Sequence, residues 1–191
     1  MIATKETARS AQGQLERELG TEEHTMDPNE AKTVAGFLIA DFENEMQTTL
    51  RVIEAVPHSR LDYQPDAKSK TAVGLVRHIT LEDEWLLDCI ASAEFAPPPD
   101  DSDACGIMNP AAAAARYRER IPAALGRVRA LSGDQLANVI DMFGIYQAPA
   151  VAFLAMTIKH SIHHRGQLST YLRPMGGAVP GIYGPSADTR Q

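Results

Sequence analysis

Proline placement constrains this chain more than any other feature. Proline removes a backbone donor and clashes with the preceding helical turn, so it marks where helices start and stop. At Asp27-Pro28-Asn29-Glu30 a capping carboxylate precedes a proline suited to the first helical position, and Glu30 completes a capping-box pattern. Val34, Phe37, Leu38, Phe42, Met46, Leu50 and Ile53 then recur at helical spacing until Pro57. A second helix starts near Thr71, carries Leu75, Val76, Ile79, Leu86, Cys89 and Ile90 on one side, and ends by Pro97-Pro98-Pro99. Asn109-Pro110 opens a third, with Tyr117, Ile121, Leu125 and Val128 in line, and Pro122 should kink or divide it. Residues Ser132–Gln147 read as turn and loop. Pro149 opens the longest apolar helix, which runs to Leu172 and is stopped by Pro174 and Gly176-Gly177. No repeat and no strand alternation interrupts this pattern. The expected fold is all-α, a four-helix bundle.

The 191 residues suit one domain with a single sizeable core. Residues 1–26 differ from the rest: they are polar, and a helix over Glu6–Leu19 would have only Leu15 and Leu19 to bury. They read as an N-terminal extension, disordered or loosely helical, ahead of a bundle domain over 27–191. Met26, just before the first cap, is a candidate natural start. A net charge of -7 argues against a protein that grips nucleic-acid phosphates. No run reaches the roughly 18 apolar residues of a spanning helix, and the first residues lack the order of a signal peptide. Cys89 and Cys105 form neither a metal pair nor a disulfide framework and read as reduced thiols. The expectation is a soluble cytoplasmic protein with no membrane or nucleic-acid partner.

Three of six histidines lie within five residues, in His160-Ser161-Ile162-His163-His164. Helical residues four apart share a face, so His160 and His164 can bind one metal ion. His163 lies about 100° from His164 and should not share it. Phe153, Met156, Thr157, Gln167 and Tyr171 occupy the same face, which makes it an inward face with a polar patch needing partners. Core histidines bonded to hydroxyls or carbonyls are the plainer alternative. On the second helix, His78 falls at the edge of the apolar stripe and Glu82 near its centre, where surface carboxylates seldom sit. Three imidazoles with open positions suit a metal that activates water or a thiol, whereas closed structural sites use four protein ligands. Glu82 would be an orienter, a general base or a fourth ligand, unless it pairs with Arg77 or Arg165. Ser161 stands where a zinc protease would have its glutamate, so that reading is weak. Arg116, Arg120 and Arg127 share a stripe, read as a solvated face with an anion-docking surface as the alternative.

These motifs resemble the DinB/YfiT-like family. HSIHHRGQLSTYLRPMG followed by VPGIYGPSAD is similar to the family's closing signature, and LDYQPDAKSKTAVGLVRHITLEDEWLL resembles its second helix with a ligand histidine. The resemblance spans about residues 31–188. It implies an up-and-down bundle, often a homodimer, with one divalent metal per chain held by His78, His160 and His164. Zinc or nickel would be the usual ion, iron or manganese the alternatives. His163 and Arg165 would belong to the motif without being ligands. Ser161 departs from the acidic residue of many members. The family includes transferases and an isomerase that use low-molecular-weight thiols, and proposed hydrolases.

The function expected from residues and resemblance together is a metal-dependent enzyme acting on a small molecule. A thiol-dependent S-transferase or related reaction comes first, with the thiol as co-substrate. Glu82 is the candidate catalytic residue, with Gln167 or Tyr171 nearby and Trp85 walling the pocket. The alternatives are metal-assisted hydrolysis and a non-catalytic metal- or ligand-binding stress protein.

Overall fold

A computed structural model describes residues 26–189. The segment 1–26, read above as an extension, therefore lies outside the described residues apart from Met26. Four long helices carry the fold: α1 (Pro28–Glu54), α2 (Ala72–Ser92), α3 (Pro110–Ala130) and, after a short helix α4 (Gly133–Ala137), α5 (Ala150–Leu172). Their starts are set by local chemistry. The Asp27 carboxylate accepts from the Asn29 and Glu30 amides, Thr71 Oγ1 from Gly74, and Asn109 from Ala112, which satisfies amides that a helix N-terminus leaves without partners.

Each long helix packs against two others: α1 and α2 both lie against α3 and α5. The core runs between all four and includes Phe42, Ile53, Leu75, Ile79, Tyr117, Leu125, Phe153 and Leu172. Helix α1 turns differently from its simplest apolar reading. Phe37 is 73% exposed and Val34 is also exposed, while Ala31, Ala35 and Ile39 are buried. Small side chains let the start of α1 approach its neighbours closely, so the larger residues beside them face out.

Two expectations are corrected. Of the kink or division expected at Pro122, division does not occur: α3 continues to Ala130 with Pro122 on its exposed side, and water can satisfy the carbonyl that loses its donor there. The segment read as loop after Ser132 is ordered secondary structure. Ser132 and Gln135 form a reciprocal capping box on α4, and strands β1 (Val139–Met142) and β2 (Tyr146–Pro149) pair antiparallel from Val139↔Pro149 to Met142↔Tyr146. Phe143 and Gly144 turn between them with φ of 57° and 71°. Glycine adopts that conformation freely; phenylalanine rarely does, which hid the turn.

The arginine stripe of α3 faces acidic residues of α2. Arg116 donates to Glu84 at 3.0 Å, Arg120 approaches the same carboxylate, and Arg127 pairs with Asp88. These are partly exposed pairs, each contributing about 0–1 kcal/mol. The C-terminal tail is tied down by Arg165 of α5. That buried guanidinium pairs with Glu45 of α1 and donates to the Tyr183 hydroxyl at 2.6 Å. None of the described helices is long and apolar enough to cross a membrane.

Candidate metal centre

The adjacency of α2 and α5 builds the site. His78 projects from α2, and His160 and His164 project from α5 one turn apart, as residues four apart on a helix must. One ring nitrogen from each lies within 4.8 Å of those of the other two. His78 Nε2 is 3.2 Å from His164 Nε2, and the His160 and His164 rings meet edge-on with centroids 4.4 Å apart. His163 is exposed and outside the group.

Each ring turns its Nδ1 toward a side-chain oxygen. His78 Nδ1 lies 3.1 Å from Asp101 Oδ2, on the loop between α2 and α3. His164 Nδ1 lies 2.8 Å from Gln167 Oε1, one turn further along α5. His160 Nδ1 lies 3.7 Å from Asp83 Oδ1 of α2. Lys70 donates to the same Asp101 Oδ2 at 2.6 Å, and Arg77 anchors the same loop by donating to the Ile107 carbonyl at 2.6 Å and pairing with Asp103.

Burial shapes the electrostatics. It lowers the His164 imidazole to about 4 and lowers His78 as well, helped by the neighbouring Lys70 charge, so both rings are neutral and available as ligands near pH 7. Glu82 Oε1 is 3.9 Å from His78 Nδ1, and burial raises its carboxyl above the usual carboxylate range. Neither arginine considered as its partner reaches it, since Arg77 and Arg165 are engaged elsewhere.

The family model described as DinB family matches residues 15–191. The chain belongs to the DinB family.

Known DinB proteins repeat the architecture. The chain is 25% identical over 142 residues to the uncharacterized protein YjoA of Bacillus subtilis, covering 73% of this chain and 89% of that one. The crystal structure of YjoA, a DinB-like protein, superposes with a TM-score of 0.62 at 22% identity, covering 78% of this chain and 99% of that one. A DinB-like protein from Bacillus cereus gives the same TM-score and identity over 76% of this chain and 95% of its own. A mycothiol-dependent maleylpyruvate isomerase shares the fold at a TM-score of 0.54 and 16% identity, over 76% of this chain but only 62% of that protein.

Beside His164 of this DinB chain, an open cavity of about 290 Å³ is lined by Lys68, Ser69, Lys70, Leu75, Gln167 and Tyr171. Of the two residues the sequence reading put on an inward face, Tyr171 is buried and Gln167 is exposed. Two residues with polar roles escaped that reading. Asp83, rather than Glu82, is the fully buried carboxylate of α2: Asp83 is 0% exposed, against 13% for the Glu82 side chain. Helix α2 is flanked by both α3 and α5, so its buried arc is far wider than one apolar stripe, and the run Glu82-Asp83-Glu84 carries no signal of which carboxylate lies inside. Asp101 sits on an irregular loop, where no periodicity exists to place it.

Proposed function

We propose that this DinB protein is a metal-dependent enzyme whose divalent ion is held by His78, His160 and His164. Zinc or nickel is the ion we favour, with iron or manganese as alternatives that imidazole donors alone do not exclude. The observation that carries this reading is the convergence of three histidines from two helices, with ligand atoms within 4.8 Å of one another. The donor set fits a cation. His78 and His164 can donate from Nδ1 to Asp101 and Gln167, which leaves two Nε2 lone pairs facing each other at 3.2 Å. A cation between them relieves that repulsion. Asp83 supplies a second reason, because its buried carboxylate meets no lysine or arginine among the described residues, and buried charges need compensation.

An ion bound there would lower the pKa of a thiol or water and make a nucleophile near neutral pH. The remaining chemistry falls to the chain. Glu82, with its raised carboxyl, is the proton acceptor or donor next to His78. Gln167 orients His164, and the cavity over Lys68, Lys70 and Tyr171 receives the substrate. We favour thiol-dependent S-transfer or a related reaction, with a low-molecular-weight thiol as co-substrate. The family resemblance supports this choice, as does the name of the mycothiol-dependent isomerase that shares the fold. Cys89 and Cys105, both free, accord with a reducing cytoplasmic setting, and a homodimer is the assembly we favour by resemblance.

Elemental analysis of untagged protein beside His160→Ala tests the metal reading: about one ion per chain is expected, lost in the variant. Turnover of the zinc- or nickel-loaded protein with electrophiles, with and without thiols, tests the reaction. Multiple turnovers only with thiol support transfer, turnover without thiol means hydrolysis, and stoichiometric binding without turnover means a binding protein. Glu82→Gln is expected to keep the metal and lose proton-dependent activity.

A further inference from the structure

Asp83 is fully buried at the junction of three helices. Its Oδ2 accepts from the Tyr117 hydroxyl of α3 at 2.7 Å and from Ser161 Oγ of α5 at 2.7 Å. Burial holds the Tyr117 phenol well above its ordinary value, so it stays protonated and remains a donor. Both donors are neutral hydroxyls. Asp83 Oδ1 has no hydrogen-bond partner, and neither has the buried His160 Nδ1 that faces it at 3.7 Å. Among the described residues these are the two buried side-chain polar atoms left without a partner.

With Asp83 as the carboxylate, the two orphans satisfy each other in one arrangement only. A nitrogen lone pair turned toward a buried carboxylate oxygen is repelled, whereas an N–H turned toward it makes a charge-assisted hydrogen bond. We infer that Asp83 is the positioning residue of the site: it holds neutral His160 in the Nδ1–H form, which leaves the Nε2 lone pair for the ion. Tyr117 and Ser161 keep the carboxylate aimed. Ser161 follows His160 in the chain, so one turn of α5 carries both the ligand and a clamp on the group that orients it. The functional role rests on the metal reading above, since an orienting carboxylate matters only where Nε2 binds something. The tautomer itself exists without an ion.

The first measurement is therefore made on metal-free protein. Long-range proton–nitrogen NMR of ¹⁵N-histidine-labelled protein, at a pH where the rings are neutral, reads each tautomer directly. His160 is expected as Nδ1–H, against the preference of free imidazole side chains for Nε2–H. In Asp83→Asn the two hydroxyls retain the side-chain oxygen, so the amide NH₂ turns to His160 Nδ1, and the ring is expected to switch to Nε2–H. His78 and His164 keep their forms. Zinc affinity, measured by competition with a chromophoric chelator, should fall about 10–100-fold in that variant. Ser161→Ala, which keeps the carboxylate, should retain the Nδ1–H form and lose less than about tenfold.

Wild-type His160 in the Nε2–H form overturns the assignment whether or not any variant folds. So does an Asp83→Asn protein with unchanged tautomer and zinc affinity. If wild-type protein shows the Nδ1–H form but binds no zinc, the orienting geometry stands and the metal reading fails. One zinc per chain with His160 as Nε2–H is the reverse result.

Discussion

The inner and outer walls of the histidine cluster use one device in two environments. On the inner wall, His160 faces a carboxylate that is itself gripped by Tyr117 and Ser161, with Asp83, Tyr117 and Ser161 all at 0–2% exposure. On the outer wall, His78 faces Asp101 and His164 faces Gln167, on a partly exposed loop residue and an exposed helix position. The pairings are alike in kind, although the inner one stands at 3.7 Å and the outer two at 3.1 and 2.8 Å. They differ in what replaces them when broken: water enters at the rim, but a buried donor or acceptor left unmade bears its full desolvation cost. The inner wall should therefore set whether the site exists, and the outer wall should tune it.

Four measurements sharpen or break that contrast. His164→Ala should have the largest effect, with loss of stoichiometric metal binding in elemental analysis of untagged protein; retained stoichiometry would remove His164 from the ligand set. Tyr117→Phe takes one donor from a buried carboxylate and should lower unfolding free energy by about 1.5–3 kcal/mol in a denaturant titration. Asp101→Asn acts at the rim, and its zinc affinity should drop by under about tenfold, below the usual range for orienting groups. A larger loss there than in Asp83→Asn would invert the two walls. His163→Ala should keep one metal per chain and change stability by no more than about 0.5 kcal/mol, as exposed substitutions do. Metal loss in that variant alone would mean that α5 presents a different face from the one described.

Much of the fold was legible because its signals are local. A proline, a capping side chain and an apolar period act within one or two turns, and the observed starts at Pro28, Ala72, Pro110 and Ala150 follow them. The hairpin at Val139–Pro149 was not legible: its strands are four residues each, and Phe143 occupies a turn conformation that its side chain disfavours. The histidine pair on α5 could be read from spacing alone, and the exposure of His163 follows from the same helical geometry. Glu82 drew attention as the central carboxylate of α2 because a helical wheel assumes one buried stripe. With neighbours on two sides, α2 buries Arg77, Thr80 and Asp83 as well.

What the sequence determined by itself is where the four long helices begin, and that His160 and His164 share a face while His163 does not. These follow from backbone hydrogen bonding and the helical period, which need no partner. Only the tertiary structure decided that α2 lies against α5, so that His78 meets the pair, and that Asp83 rather than Glu82 occupies the fully buried position behind His160. Helix neighbours are chosen by the packing of whole faces across long stretches of chain, and a buried carboxylate is tolerated only where those faces bring its donors together.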